Sequence, residues 1–170
     1  MQSSMRLGRL TKKIRKITPS GVVSTYAGST AGYVDGAASV SKFDNPLGIC
    51  ADASGDIFVG DVNNFCIRKI SNGTVTTFAG TAGTSGSANG PLLQASFNSP
   101  SCMAYHSSDK YFIGDEGNEL IRLINMNQSS NPLTLSTLNN VSVFCPSSTS
   151  VITASPQGLS SYTFKEGSTV

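Results

Sequence analysis

The sequence is poor in the residues most enzymes need. It has no tryptophan and one histidine, and only 13% of its 170 residues are charged. A lone His106 cannot build a multi-histidine metal site. No apolar run approaches the roughly 18 residues that would carry a helix across a membrane, and no apolar h-region follows the basic start, so no secretory signal is legible. The four cysteines, Cys50, Cys66, Cys102 and Cys145, fit neither a C-x-x-C nor a zinc spacing. Their even count allows three disulfide pairings and demands none, and the role expected of them is that of small buried hydrophobes. The sequence contains no nucleophile elbow, no phosphate-binding lysine loop, and no strand–GxGxxG–helix context around the glycine-rich stretch 80–90. The acidic run Asp115-Glu116-Gly117-Asn118-Glu119 is dense in oxygen ligands but lacks EF-hand spacing. We therefore assign no catalytic residue, no metal ligand and no cofactor, and expect a protein that is not an enzyme.

What is present points to strands. Few charges, many turn formers and abundant β-branched residues favour an all-β fold. The net charge of +2 is unevenly placed: Arg6, Arg9, Lys12, Lys13, Arg15 and Lys16 crowd the start, and the first acid is Asp35. Such a start has the composition of a mitochondrial presequence. The plainer reading is a solvated basic end leading into the first strand. Sequons at Asn72, Asn127 and Asn140 are no more than a Ser/Thr/Asn-rich chain produces by chance, so they do not locate the protein.

The chain is internally repeated. IRKI at 14–17 returns as IRKI at 67–70 and as IRLI at 121–124, offsets of 53 and 54 residues. GVVSTYAG (21–28) returns as GTVTTFAG (73–80), DIFVGD (56–61) as KYFIGD (110–115), and Asp35-Gly36 as Asn89-Gly90. Phe43 and Pro46 return as Phe97 and Pro100, and Asn64 as Asn118. A register kept over so many positions identifies a structural repeat.

One unit reads as four antiparallel strands near 47–52, 56–60, 66–71 and 74–79, followed by a Gly/Ser/Thr-rich crossing of roughly twenty residues. Asn72-Gly73 predicts a tight hairpin, and the Asn63-Asn64 turn predicts a left-handed residue there. Ile57-Phe58-Val59 and Tyr111-Phe112-Ile113 are apolar on both faces, unlike strands of a sheet with one wet side. Sheets that are apolar on both faces need a neighbour on each, which is the condition of a propeller blade.

The series Phe43-x-x-Pro46-x-Gly48-Ile49-x-x-Asp52-x-x-Gly55-x-Ile57-Phe58-Val59-x-Asp61-x-x-Asn64-x-x-Ile67-Arg68-Lys69-Ile70 resembles the NHL repeat. The following Gly73-x-Val75-x-Thr77-Phe78-Ala79-Gly80 resembles its long-loop subtype, and the likeness runs from about 14 to 138. The resemblance implies an all-β partial β-propeller of four-stranded antiparallel blades, commonly closed by six, and a role as a binding platform. The third unit departs from the pattern: Cys102, Met103, His106 and Asp109 stand where Gly48, Ile49, Asp52 and Gly55 would recur.

The expected organisation is a basic segment at 1–13, blades over 14–138 (a half blade at 14–28, a full blade at 46–80, a degenerate blade at 101–138) and a Ser-rich tail at 139–170. In that tail Val141–Phe144 and Tyr162–Phe164 are strand candidates. Propellers close with at least four blades, so two apolar blade faces would be uncovered, beyond the several hundred Å² a monomer ordinarily exposes. The chain is then a piece of a larger propeller, a component pairing with a protein partner or with other copies, or a stack capped by its own ends.

Three functions follow as alternatives: protein–protein contact as a scaffold, RNA binding on a basic blade surface, or a fragment of a propeller lyase or hydrolase. The candidate surface residues are Arg15, Lys16, Tyr33, Phe65, Arg68, Lys69 and Arg122. RNA would need such cations with stacking aromatics, although a pI near 8.4 is a weak footprint. The loops 28–45 and 80–90 are the other candidate surface. Asp61 with Arg68, and Asp115 with Arg122, read as scaffold ion pairs.

Overall fold

The computed structural model describes residues 4–8, 12–106, 110–126, 134–138, 152–154 and 162–164. Among them every regular element is a strand or a single 3-10 turn. Strands β1 (Ser4–Gly8), β2 (Lys13–Ile17) and β3 (Val23–Ala27) form blade 1. Blade 2 holds β4 (Gly36–Ala37), β5 (Pro46–Ala51), β6 (Ile57–Asp61), β7 (Cys66–Ser71) and β8 (Thr74–Ala79) in the order β4-β8-β7-β6-β5. Blade 3 holds β9 (Gly90–Pro91), β10 (Pro100–His106), β11 (Lys110–Asp115), β12 (Leu120–Asn125) and β13 (Thr134–Leu138) in the order β10-β11-β12-β13-β9. A separate ribbon pairs β14 (Ile152–Ala154) with β15 (Tyr162–Phe164). All strand pairings are antiparallel.

The all-β, bladed architecture agrees with the sequence pattern, with four refinements. First, β1 lies inside the segment 1–13 that the sequence set apart, so the first unit has three strands; Met5↔Lys16 pairing repeats Phe58↔Lys69. Secondly, the long crossings contribute a strand of their own. β4 and β9 each pair with the outermost strand of the following blade, so a crossing runs along one blade's outer edge before entering its inner strand.

Thirdly, the Asn72-Gly73 hairpin has φ of 48° and 75° as expected, but the other turn is built differently. Val62–Asn64 form a 3-10 turn, and the left-handed residue after it is Phe65, with Glu119 its counterpart, both at φ 56°. Asn64 instead uses its amide for hydrogen bonding. Fourthly, Cys50 and Cys66 are free thiols, but Cys102 is disulfide-bonded. Of the two strand candidates in the tail, Tyr162–Phe164 is β15; Val141–Phe144 lies outside the described residues.

Both faces of β6 are packed, as its unbroken apolar run requires. Ile57 and Val59 face blade 1, with Ile14, Ala27, Phe43, Ile70 and Val75. Phe58 faces blade 3, with Ile67, Phe97, Tyr111, Ile113 and Ile124. Phe58 and Tyr111 meet at a tilt with ring centroids 4.6 Å apart, and Phe78 meets Phe58 edge-on at 4.8 Å. Near the inner strands no side chain separates the blades: a Cβ on Gly60 would meet the Pro100 carbonyl, and one on Gly48 would meet the Cys102 backbone.

The two outer faces differ. The positions of blade 3 that point away from blade 2 were expected to lie open, yet Phe112 and Ile121 are buried at 7% and 5% exposure. On blade 1, Val22 and Val23 are 61% and 51% exposed, whereas Val75, the register equivalent of Val23, is at 0%.

Candidate functional site: two arginine sockets and the first blade face

The most ordered chemistry of the molecule is a buried guanidinium. Arg68 leaves the centre of β7 and is fully buried. Its Nη1 donates to Asp61 Oδ2 at 2.8 Å and to the Lys42 carbonyl at 3.0 Å. Its Nη2 donates to Asp35 Oδ1 and, at 2.9 Å, to the Val34 carbonyl. The guanidinium lies 4.6 Å from the Tyr33 ring centre and 5.1 Å from that of Phe43. Asp61 also accepts from the Asn64 amide and the Asp44 N–H, and Asn64 donates onward to the Gly32 carbonyl. One side chain thus ties β6, β7 and the crossing 28–45 into one unit.

Burial pushes the Asp61 carboxyl up, against the pull of Asn64, the Asp44 N–H and Arg68; Asp115 is raised for the same reason. Burial works against the Arg68 charge too, but the bonds to Asp35 and Asp61 outweigh it and hold the guanidinium above its ordinary value. A buried pair of this kind adds little net stability over apolar residues, yet losing one member leaves an uncompensated charge. Its use is to fix geometry: only one placement of the crossing satisfies Arg68.

Blade 3 repeats the socket. Arg122 donates to Asp115 Oδ2 (2.7 Å), the Ser96 carbonyl (3.0 Å), the Ala88 carbonyl (2.9 Å) and Asn89 Oδ1 (2.8 Å). Asn118 bonds Asp115 and the Gly86 carbonyl as Asn64 bonds Asp61 and Gly32. In both sockets the arginine Nε is buried without a hydrogen-bond partner among the described residues. The charge set against the arginine differs from blade to blade. Blade 2 sets two carboxylates against its arginine, and blade 3 sets one carboxylate and an amide. Blade 1 has Gly8 at the register position of Asp61.

The sequence-stated surface residues therefore separate. Arg68 and Arg122 are not surface at all, because both are fully buried in their sockets; the reading of Asp61–Arg68 and Asp115–Arg122 as scaffold pairs describes them correctly. Tyr33 is 42% exposed but stacks on Arg68 and shares a hydrogen bond with Thr77, so it lids a socket. Lys69 pairs with Asp56 at 2.6 Å and lies over Phe58. Phe65 is half-buried at the left-handed turn position. Arg15 and Lys16 remain half-exposed on blade 1, where Arg15 Nε donates to the Ser24 carbonyl at 3.3 Å.

A ladder of cations across adjacent blades, which an RNA surface needs, is thereby lost at its central positions. The crossing loops are likewise committed at their middles, and offer Val34, Val40 and Leu93 outward. The Asp115 carboxylate that a cation would need is bound to Arg122, Asn118 and the Asn98 N–H. His106 ends β10.

Sequence reasoning placed Asp35 and Asn89 in the repeat without giving them a role. Their signal was present: a Gly-preceding polar residue recurring in step with the arginine, inside a loop that otherwise drifts.

The sheets and their packing define a partial β-propeller, and residues 43–70 match the family model described as NHL repeat. The chain is 32% identical over 96 residues to Protein SUPPRESSOR OF QUENCHING 1, chloroplastic, of Arabidopsis thaliana, a match covering 55% of this chain and 9% of that protein. Among solved structures it is similar to a protein of unknown function from Bacteroides thetaiotaomicron, with TM-score 0.68 and 27% identity, over 71% of this chain and 32% of that one. It shares the fold of an auxiliary nutrient binding protein from the same organism (TM-score 0.61, 22% identity, 79% of this chain and 35% of that one). It also shares the fold of virginiamycin B lyase from Staphylococcus aureus (TM-score 0.51, 18% identity, 95% of this chain and 51% of that one). The chain spans under a tenth of the curated relative and about a third of the two Bacteroides proteins. No helix among the described residues is long and apolar enough to cross a membrane.

Proposed function

We propose that this chain acts by contact, as a non-enzymatic scaffold of NHL-type blades that binds a protein partner. The observation that carries the reading is the fate of the repeated charged residues. Asp61, Arg68, Asp115 and Arg122 recur because they lock crossing to blade. What the described residues leave outward is an apolar and basic sheet face, with Val22, Val23 and Arg15, and the loop residues Val40 and Leu93. Such a surface offers apolar burial beside a cation, which suits recognition.

The test is partner capture from an extract of the source organism, with crosslinking and a Val22→Lys/Val23→Lys variant as the control. Species enriched by the parent protein and lost with the variant support the reading. Identical enrichment by both, or stoichiometric metal in the purified protein together with turnover of a small molecule, would overturn it.

A further inference from the structure

Arg15 is the register equivalent of Arg68: it pairs with Thr25 as Arg68 pairs with Thr77. The difference lies in what surrounds it. In blades 2 and 3 the guanidinium receives one carboxylate from its own sheet and a polar side chain with two carbonyls from the preceding crossing. On blade 1, Gly8 removes the first, and no ion pair to Arg15 occurs among the described residues. Beside it, Ile17 is half-buried where Ile70 is fully buried, and Val23 is exposed where Val75 is not.

We propose that this face is a docking site for an Asp-bearing crossing segment of the same kind as residues 28–46, supplied by another stretch of polypeptide. The established interfaces continue directly into it. The segment 28–46 covers Arg68, Ile70 and Val75 of blade 2, burying Phe43 among them. A like segment would cover Arg15, Ile17 and Val23. Charge selects its sequence. Arg122 accepts an amide at Asn89 because Asp115 already balances it. With Gly8 in place of that aspartate, Arg15 needs the carboxylate from the incoming segment. A second copy docking through its blade 3 face is disfavoured, since Phe112 and Ile121 are already buried. The inference rests on the contact reading above and names the site and the chemistry of the partner.

The probe is a fluorescein-labelled peptide of residues 28–46, titrated with the whole chain and followed by anisotropy. Saturable binding is expected. It should weaken about ten-fold or more with Arg15→Gln in the protein or Asp35→Asn in the peptide, the usual effect of losing a charge-assisted bond. Val23→Lys should do the same by a different route, and the melting curves of both variants should stay near the parent's. Absence of saturable binding, binding indifferent to either Arg15→Gln or Asp35→Asn, or equal binding of a scrambled peptide of the same composition would overturn the inference. So would an Arg15-dependent dimer in light scattering, which would make a second copy the occupant. If the peptide fails while Val22/Val23-dependent capture persists, only this inference falls; if both fail, the contact reading falls with it.

Discussion

Arg122 makes the hydrogen bonds of Arg68 again, acceptor for acceptor, 54 residues later. They differ in one acceptor: Asp35 in blade 2 is Asn89 in blade 3. The repeat thus contains its own comparison of two loop residues against an invariant sheet residue.

That comparison predicts an order of effects. Asp61→Ala takes from the buried Arg68 its fully buried carboxylate, leaves the Asp44 N–H without its acceptor, and costs the Asn64 amide one of its two acceptors. A loss of about 3–5 kcal/mol is expected in urea unfolding, the usual result of breaking a buried pair. Asp35→Asn gives Arg68 the amide acceptor that Arg122 has in blade 3 and should cost less, about 1 kcal/mol: the carboxylate is partly exposed and the amide oxygen can still accept from Arg68, while the exposed bonds from the Thr77 N–H and hydroxyl to the other oxygen are lost. Equal losses for the two would mean that the crossing, not the sheet, holds the arginine.

The blade-to-blade contact at the inner strands gives a second test. Gly60 has no room for a methyl group, because the obstacle is the Pro100 backbone and not a mobile side chain. Gly60→Ala should therefore push β6 and β10 apart and destabilise by about 1–3 kcal/mol, as overpacking does. Gly55→Ala meets nothing within 4 Å but sits at φ 87°, so its cost should be the smaller one of a left-handed alanine. Comparing the two by thermal melting separates crowding between blades from backbone strain.

Phe58 tests whether a blade needs its neighbour. It is 1% exposed and packs only on the blade 3 side, with Phe78 and Tyr111. Phe58→Ala should cost about 3–5 kcal/mol. Its effect should spread to blade 3, lowering amide-exchange protection in β11 together with that of β6. Loss confined to β6 would show that the blades fold independently.

The legible part of this molecule was whatever recurs. Period, strand order and the two-faced apolar runs all followed from residues such as Ile67, Ile70 and Phe58, which are read by pattern alone. Arg68 misled as a surface candidate because a strand cation is ordinarily outward, and its burial depends on acceptors 26 to 34 residues away in a loop. Non-local satisfaction of that kind leaves only a weak local mark. β1 escaped for a related reason: Ser4 and Arg6 stand at the register positions of Ile57 and Val59, so the apolar signature that marks a second strand is missing there. Phe65 escaped because a bulky residue at positive φ runs against its intrinsic preference.

The free thiols predict a pH dependence. Burial, with a nearby aspartate, pushes Cys50 and Cys66 up to about 12, whereas an unfolded thiol ionises near about 8.5. A folded value above the unfolded one means that the stabilisation is complete below about pH 8.5 and is lost as pH rises toward 12. The slope can reach about 1.4 kcal/mol per pH unit for each thiol. Unfolding midpoints in urea should hold level from pH 7 to 8 and fall between 9 and 11. A Cys50→Ala/Cys66→Ala variant, less stable at neutral pH for the volume it removes, should lose most of that alkaline slope; the raised Tyr111 phenol supplies what remains. At pH 8 a thiol reagent should leave the fully buried Cys66 unmodified until denaturant is added, read against the double variant as baseline, while the partly exposed Cys50 reacts first. Rapid native labelling of Cys66, or an alkaline slope unchanged in the double variant, would show that the packing around this thiol is looser than its burial requires.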